Sequence, residues 1–239
     1  MRGAPVCAAL ATLLLAAPAT AEGPRRLFVL AFKAPPELTF TGKRLAQTVA
    51  SQAAKDGGFA VVGPDAVEER LGHRAYQRLV ACGGEPRCIA DSDVVLGADR
   101  VIGGQLLLRE SAYEVQMSQV EPQGGKLLAR VARVVPIGSR RLQEEVGSAS
   151  LPLLRGESEG KGSLFVSTNV PRAEVRIDGA LAGYTPLVAR LKPGPHAVEV
   201  EKEGYAKPEA RSVEVADGEV TEVGVALTPL PPAGAVADH

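Results

Sequence analysis

Between Gly162 and Thr228 the chain alternates apolar and polar residues in runs too short for helices, and Gly, Pro or Asp closes each run within a few positions. Strand side chains point to opposite faces with period two. In EVRIDG this puts Val175 and Ile177 on one face and Glu174, Arg176 and Asp178 on the other. Val198 and Val200 separate in the same way from Glu199 and Glu201, and Leu164 with Val166, Val213 with Val215, and Val223 with Val225 and Leu227 supply further inward sets. Short alternating runs at this spacing predict a small antiparallel sandwich.

The turns follow from residue chemistry. Asp178-Gly179 lies between two strand-like runs, and a tight hairpin needs the positive φ that Gly adopts freely and Asp better than most. Gly183, Pro186, Pro193, Gly194 and Gly204 mark the later turns, and Tyr205 follows at a strand edge, where its ring can cover one end of the core with its hydroxyl wet. Core and turn duties account for nearly every distinctive residue of the segment. The functional alternative is a ligand face made by Tyr184, Tyr205 and the loop Pro193 to His196, because loops on a rigid sandwich commonly carry binding.

These residues together resemble the PEGA domain, an all-β module of surface and envelope proteins. The matching elements are the strand around Val166, Pro171 with Ala173, Val175 to Gly179, Gly183 with Thr185-Pro186-Leu187, Leu191 with Pro193-Gly194, Val198 to Val200, Gly204-Tyr205, and a closing strand ending at Leu227. The resemblance covers about the last third of the chain and implies no catalytic residues. One departure is visible. The family's namesake segment usually has a Gly before the Ala, where this chain has Arg172, and a shortened first turn is expected from it.

The opposite end sets an expectation about compartment. MRGAPVCAALATLLLAAPATA has one early basic residue, an apolar run to about Ala17 and the small-residue sequence Ala19-Thr20-Ala21, the form of a secretory signal peptide (residues 1–21) cleaved before Glu22. The run is well short of the ~20 residues that span a bilayer, and Cys7 precedes most of it, so it is not placed for lipid attachment. In an oxidising compartment Cys82 and Cys88, which flank GGEPR, are expected to form a disulfide. A zinc site would need two further ligands, with His73 the one histidine near in sequence, and no metal or other cofactor is expected. The mature chain is expected to be exported, in the periplasm or displayed on the outer surface, with no transmembrane segment.

A chain of 239 residues is longer than one sandwich and a signal need. Net charge of -1, no Trp and 4% aromatic residues give neither the basic footprint nor the stacking platform of a nucleic-acid binder. The densest basic patch is Arg130, Arg133, Arg140 and Arg141, read as charged outer faces of a strand and a helix, with contact to an anionic envelope polymer as the alternative.

Residues 22–154 read as a mixed α/β domain. Arg26 to Lys33 is an apolar strand, and Leu45, Val49 and Ala53 recur at spacing four in a helix that Gly57-Gly58 stop. FAVVG is a strand, Pro64 opens a short helix, and AYQRLVAC gives another before the cysteine loop. Gly97-Ala98-Asp99 precedes a strand, two long strands form a hairpin around Gly124-Gly125, and a helix from Ser139 to about Leu154 closes the domain. Leu96-Gly97-Ala98-Asp99 followed by Val101 to Gly104 and the two long strands resembles the amino-terminal domain type of TolB-like and CsgG-like envelope proteins. That resemblance implies a protein-contact platform rather than an enzyme. The fold class is therefore α+β: this domain, a flexible linker at 155–161, an all-β PEGA-like sandwich at 162–228 and a Pro- and Ala-rich disordered tail at 229–239.

Several strings imitate catalytic motifs. Gly156-Glu157-Ser158-Glu159-Gly160 fits GxSxG, which works only on a strained strand-to-helix turn with a His base. Gly160 to Ser163 lacks the spacing of a phosphate loop, and Asp91 with Asp93 reads as a solvated helix face. The function expected is that of a non-catalytic exported adaptor contacting envelope proteins or cell-wall polymer, with no catalytic residues. The alternative is a periplasmic protein that binds or senses a small ligand through its first domain.

Overall fold

The computed structural model describes residues 23–92, 94, 97–109, 111–157 and 159–231. The signal segment, Asp93, Leu96, Ser158 and the tail from residue 232 onward lie outside the described residues.

In the first domain, β1 (Arg26–Val29), β2 (Ala60–Val62), β3 (Arg100–Leu108), β4 (Ala112–Glu121) and β5 (Lys126–Pro136) form one sheet in the order β2-β1-β3-β4-β5. β1 runs parallel to both β2 and β3, while β3, β4 and β5 form an antiparallel meander. A strand with parallel neighbours on both sides is covered on both faces. Leu27 and Val29 accordingly enter one core and Phe28 and Leu30 the other. The first core is closed by α1 (Thr39–Asp56) through Leu45, Val49 and Ala53, and by α5 (Leu142–Arg155) through Val146, Ala149 and Leu153. The second is closed by α2 (Pro64–Leu71), α3 (His73–Ala81) and α4 (Pro86–Ala90) through Val67, Tyr76, Leu79 and Ile89. Each fully buried Leu or Val contributes roughly 2 kcal/mol.

The expected elements are present with shifted ends. α1 starts at Thr39, three residues before Gly42, and stops at Gly57 in a left-handed cap. α5 starts at Leu142, after a turn at Arg140 and Arg141. β1 is shorter than the apolar run Arg26 to Lys33, but Lys33 rejoins β3 through a bridge to Gln105. Cys82 and Cys88 form a disulfide with Cα atoms 5.6 Å apart, joining the end of α3 to α4. Its loop carries Gly84 onto β3, where a Cβ on Gly103 would stand 3.0 Å from the Gly84 Cα.

The second domain is a sandwich. One sheet has the order β11-β10-β7-β8, from β7 (Glu174–Ile177), β8 (Ala180–Tyr184), β10 (Gly194–Glu201) and β11 (Arg211–Val215). The other has the order β12-β6-β9, from β6 (Gly162–Thr168), β9 (Leu187–Leu191) and β12 (Val220–Val225). Leu164, Val166, Val175, Ile177, Val198, Val200, Val215, Val223, Val225 and Leu227 make the core, on the faces that alternation assigns them, with Val213 half-buried beside them.

Three expectations about this domain are corrected. β12 runs parallel to β6, in register from Val220↔Ser163 to Val225↔Thr168, so the sandwich is not wholly antiparallel. Gly183 lies inside β8 rather than at a turn, opposite Val175 and beside a bulge, with the Leu187 side chain packed where a Cβ would stand. Gly194 is the first residue of β10 rather than a turn residue. In the first turn Arg172 takes φ 57, the left-handed conformation that glycine adopts without strain. Gly179 and Gly204 occupy turns, Pro186 follows a cis Thr185 peptide in a bend, and Tyr205 bridges Pro229 with its ring against the core.

Candidate functional site

The two domains meet along β5, the edge strand of the first sheet. Phe165 of β6 packs on Ala112 and Val134, flanked by Val188 and Val220. Beside this apolar contact Arg133 points into the junction with only 6% of its side chain exposed, and Glu159, 11% exposed, meets it. Arg133 Nη1 donates to Glu159 Oε2 at 2.7 Å and to the Ala132 carbonyl at 2.9 Å, and Nη2 donates to Oε1. Arg190 of β9 donates to the same Oε2 at 2.6 Å. One carboxylate thus ties β5 to β9 through the segment between α5 and β6. That segment was expected to be a flexible linker, yet buried charges are retained only when paired, and this pairing pins it. Arg133 Nε is buried without a partner among the described residues.

A second polar row crosses the same junction. Gln105 Nε2 donates to Gln116 Oε1 at 2.7 Å, and Gln116 Nε2 donates to Glu114 Oε1. Glu114 is 2% exposed and accepts at Oε2 from Arg109 Nε and Nη2 at 2.9 and 2.7 Å. Arg109 Nη1 lies 3.7 Å from Glu222 of β12, and the Glu114 carboxylate holds the guanidinium charged, raising its pKa. Arg130 reaches Glu219 of the sandwich at 3.5 Å. The basic patch read from sequence is therefore not one surface: Arg130 and Arg133 serve the junction, while Arg140 and Arg141 are exposed.

The sandwich residues considered as a ligand face are not brought together. His196 lies at the β7–β8 hairpin end of its sheet, donating from Nδ1 to Asp178 Oδ2 at 2.7 Å and from Nε2 to the Lys192 carbonyl at 2.9 Å. Tyr184 lies at the other end, in a shallow hollow with Arg172, Glu174, Glu201, Lys202 and Gly204. Tyr205 is committed to the core. The GxSxG string falls between a helix and a strand, the reverse of the strand-to-helix order its chemistry needs, and Glu157 within it pairs with Arg155 at 2.8 Å. The sulfurs of Cys82 and Cys88 are bonded to each other, and His73 pairs with Glu68 at 2.7 Å. Among the described residues no group of three or more His, Cys, Asp or Glu side chains could hold a metal ion, and no helix is long and apolar enough to cross a membrane.

A cleft of about 450 Å³ opens where β1 ends, between α1 and α3. Ala31, Ala34, Val80 and Ala81 give it an apolar wall beside Tyr76, and Lys33, Lys43 and Glu68 bring charge to it. Nothing in the spacing of these residues marked them as a group. The strand order could have, since β1 sends its chain to one face while the return to β3 crosses the other.

This architecture defines a two-domain protein, a three-layer α/β unit fused to a β-sandwich. Residues 161–231 match the PEGA domain family, so the sandwich is a PEGA domain. No curated protein matches the chain. The solved structures it resembles include TolB from Acinetobacter baumannii, at 15% identity and TM-score 0.38, covering 82% of this chain and 39% of that one. Lipoprotein GNA1162 from Neisseria meningitidis is similar at 18% identity and TM-score 0.38, covering 55% of this chain and 97% of that one. A PelC dodecamer from Paraburkholderia phytofirmans follows at 14% identity and TM-score 0.33, covering 55% and 87%. The chain thus spans well under half the length of the TolB structure, and at these scores none of the three bears on its function.

Proposed function

We propose that the protein is a non-catalytic, exported adaptor of the cell envelope that presents two binding surfaces at a fixed separation to envelope proteins or cell-wall polymer. The observation that carries this is the junction: the Arg133–Glu159–Arg190 cluster and the Phe165 contact hold the PEGA domain against the first domain as one body. An adaptor gains affinity when its two surfaces need no ordering on binding. The PEGA domain and the Cys82–Cys88 disulfide support an oxidising, extracytoplasmic location, with soluble periplasm the simplest one and the outer surface the alternative.

Crosslinking of the exported protein in its own envelope, followed by mass spectrometry, tests this. The expected result is a recurrent envelope partner crosslinked to residues of both domains, and an amino terminus beginning at Glu22. Crosslinks confined to cytoplasmic proteins, or free thiols at Cys82 and Cys88 in the native protein, would overturn it. Recovery of an activity that Ser158→Ala abolishes would replace it with an enzyme.

A further inference from the structure

The cleft at the carboxyl end of β1 has the position and the unspent donors of a binding site. From β1 the chain passes into α1 over one face of the sheet, and it returns to β3 through α2, α3 and α4 over the other. The two crossovers part at this point, and in open α/β sheets ligands occupy the crevice that such a parting leaves. Its volume, about 450 Å³, is that of a small-molecule site.

The donors decide the chemistry. Tyr76, 2% exposed, accepts the Ala31 N–H at its hydroxyl oxygen at 2.9 Å. Its own O–H proton has no acceptor among the described residues, and a buried donor without an acceptor is costly. Lys33, exposed at the strand end, lines the cleft and pairs with no carboxylate among the described residues. The other charges are already met. Lys43 lies 2.5 Å from Asp65 and 3.9 Å from Glu68, and Glu68 is also held by His73. One ammonium and one buried hydroxyl proton therefore remain, set against the apolar wall of Ala34 and Val80.

The geometry points to this cleft as a binding site for an organic monocarboxylate, whose oxygens accept from the Lys33 ammonium and the Tyr76 hydroxyl while an apolar body lies along Ala34 and Val80. A carboxylate is acceptor-only and satisfies both donors. The apolar wall selects against a bare inorganic anion, which would gain nothing from it. This site goes beyond the adaptor function and does not depend on it, so failure to capture an envelope partner leaves it standing.

The test is titration of the full mature chain with octanoate and with phenylpropionate, followed by calorimetry and by backbone amide NMR. Their primary amides serve as uncharged analogues and inorganic phosphate as the bare anion. Both acids are expected to perturb the amides of Ala31 and Val80, with the primary amides binding about tenfold more weakly. Lys33→Ala removes an exposed side chain, so it is expected to lose the same factor of about ten while melting as wild type does without ligand. Tyr76→Phe also strips the Ala31 N–H of its acceptor, so its lowered melting temperature serves as an independent check that the hydroxyl is spent where the structure places it. Equal binding by acid and amide, equal binding by phosphate, shifts confined to other regions, unchanged affinity in Lys33→Ala, or no binding at millimolar acid would each overturn the site.

Discussion

Arg172 occupies a position where glycine belongs, and the cost is local. At φ 57 its Cβ crowds the backbone, a strain of about 1 kcal/mol for a non-glycine residue. The turn survives because Arg172 N–H donates to the Thr185 carbonyl at 3.0 Å and Lys202 Nζ donates to the carbonyls of Pro171 and Arg172. Arg172→Gly keeps these backbone contacts and is expected to stabilise the protein by up to about 1 kcal/mol, read from the midpoint of urea unfolding. A second residue-scale effect depends on pH. Both ring nitrogens of His196 face acceptors, an arrangement that favours the protonated ring. The Asp178 carboxylate first, and the Lys192 carbonyl second, raise its pKa above 6.5, with Glu214 of β11 adding a weaker field. Stability from a raised pKa is fully present below about 6.5 and is lost as pH climbs through the raised value. The Asp178 carboxyl is lowered below 3.8 by His196 and by the Ala197 N–H, so its contribution is present above about 3.8 and is lost as pH falls through the lowered value. The melting temperature is expected to fall from pH 6 to 8.5 in the wild type, and His196→Gln is expected to flatten that slope. An equal slope in both would show that the clamp does not titrate.

At the scale of elements, the Cys82–Cys88 loop and β3 are built for each other. The disulfide fixes a loop whose Gly84 backbone lies on Gly103, which explains the paired glycines of VIGG, because Gly104 in turn leaves room for the Phe32 ring. Replacing both cysteines by serine is expected to cost about 2 kcal/mol through the entropy of the opened loop. Gly103→Ala is expected to cost about 1–3 kcal/mol by overpacking a backbone contact that cannot yield. Guanidinium unfolding of the three proteins would read both effects, and a Gly103→Ala variant as stable as wild type would mean that the loop does not dock on β3. Much of the fold was legible at this scale. Alternation places Val175, Ile177, Val198 and Val200 correctly, since burial of one face leaves a period-two pattern whatever the partner strand. Direction leaves no such mark, so nothing in Val223, Val225 and Leu227 distinguishes a parallel neighbour from an antiparallel one. Gly183 misled for a related reason, because a bulge and a turn use the same residue. The binding cleft and the junction were not legible, as they join residues such as Lys33 with Tyr76, or Arg133 with Glu159, that only tertiary packing brings together.

At the scale of the molecule, the junction decides whether there are one or two folding units. Glu159→Ala would leave Arg133 charged and buried, a loss of about 3–5 kcal/mol for a pair of this kind. Calorimetry is expected to show one unfolding transition in the wild type and two in the variant. Replacing both Arg133 and Glu159 by Met is expected to restore most of the lost stability, because an apolar pair of similar volume needs no counterion. A single unchanged transition in Glu159→Ala would mean that the Phe165 contact alone fuses the domains. The parallel pairing of β6 with β12 matters in a further way. These are the first and last strands of the sandwich, and six residues of one are matched to six of the other. A pull that enters through the amino end of β6 and leaves through the carboxyl end of β12 runs along both strands in opposite senses. It loads their hydrogen bonds side by side, in shear, instead of peeling them one after another, so the sandwich is built to keep its shape under tension applied between its two ends.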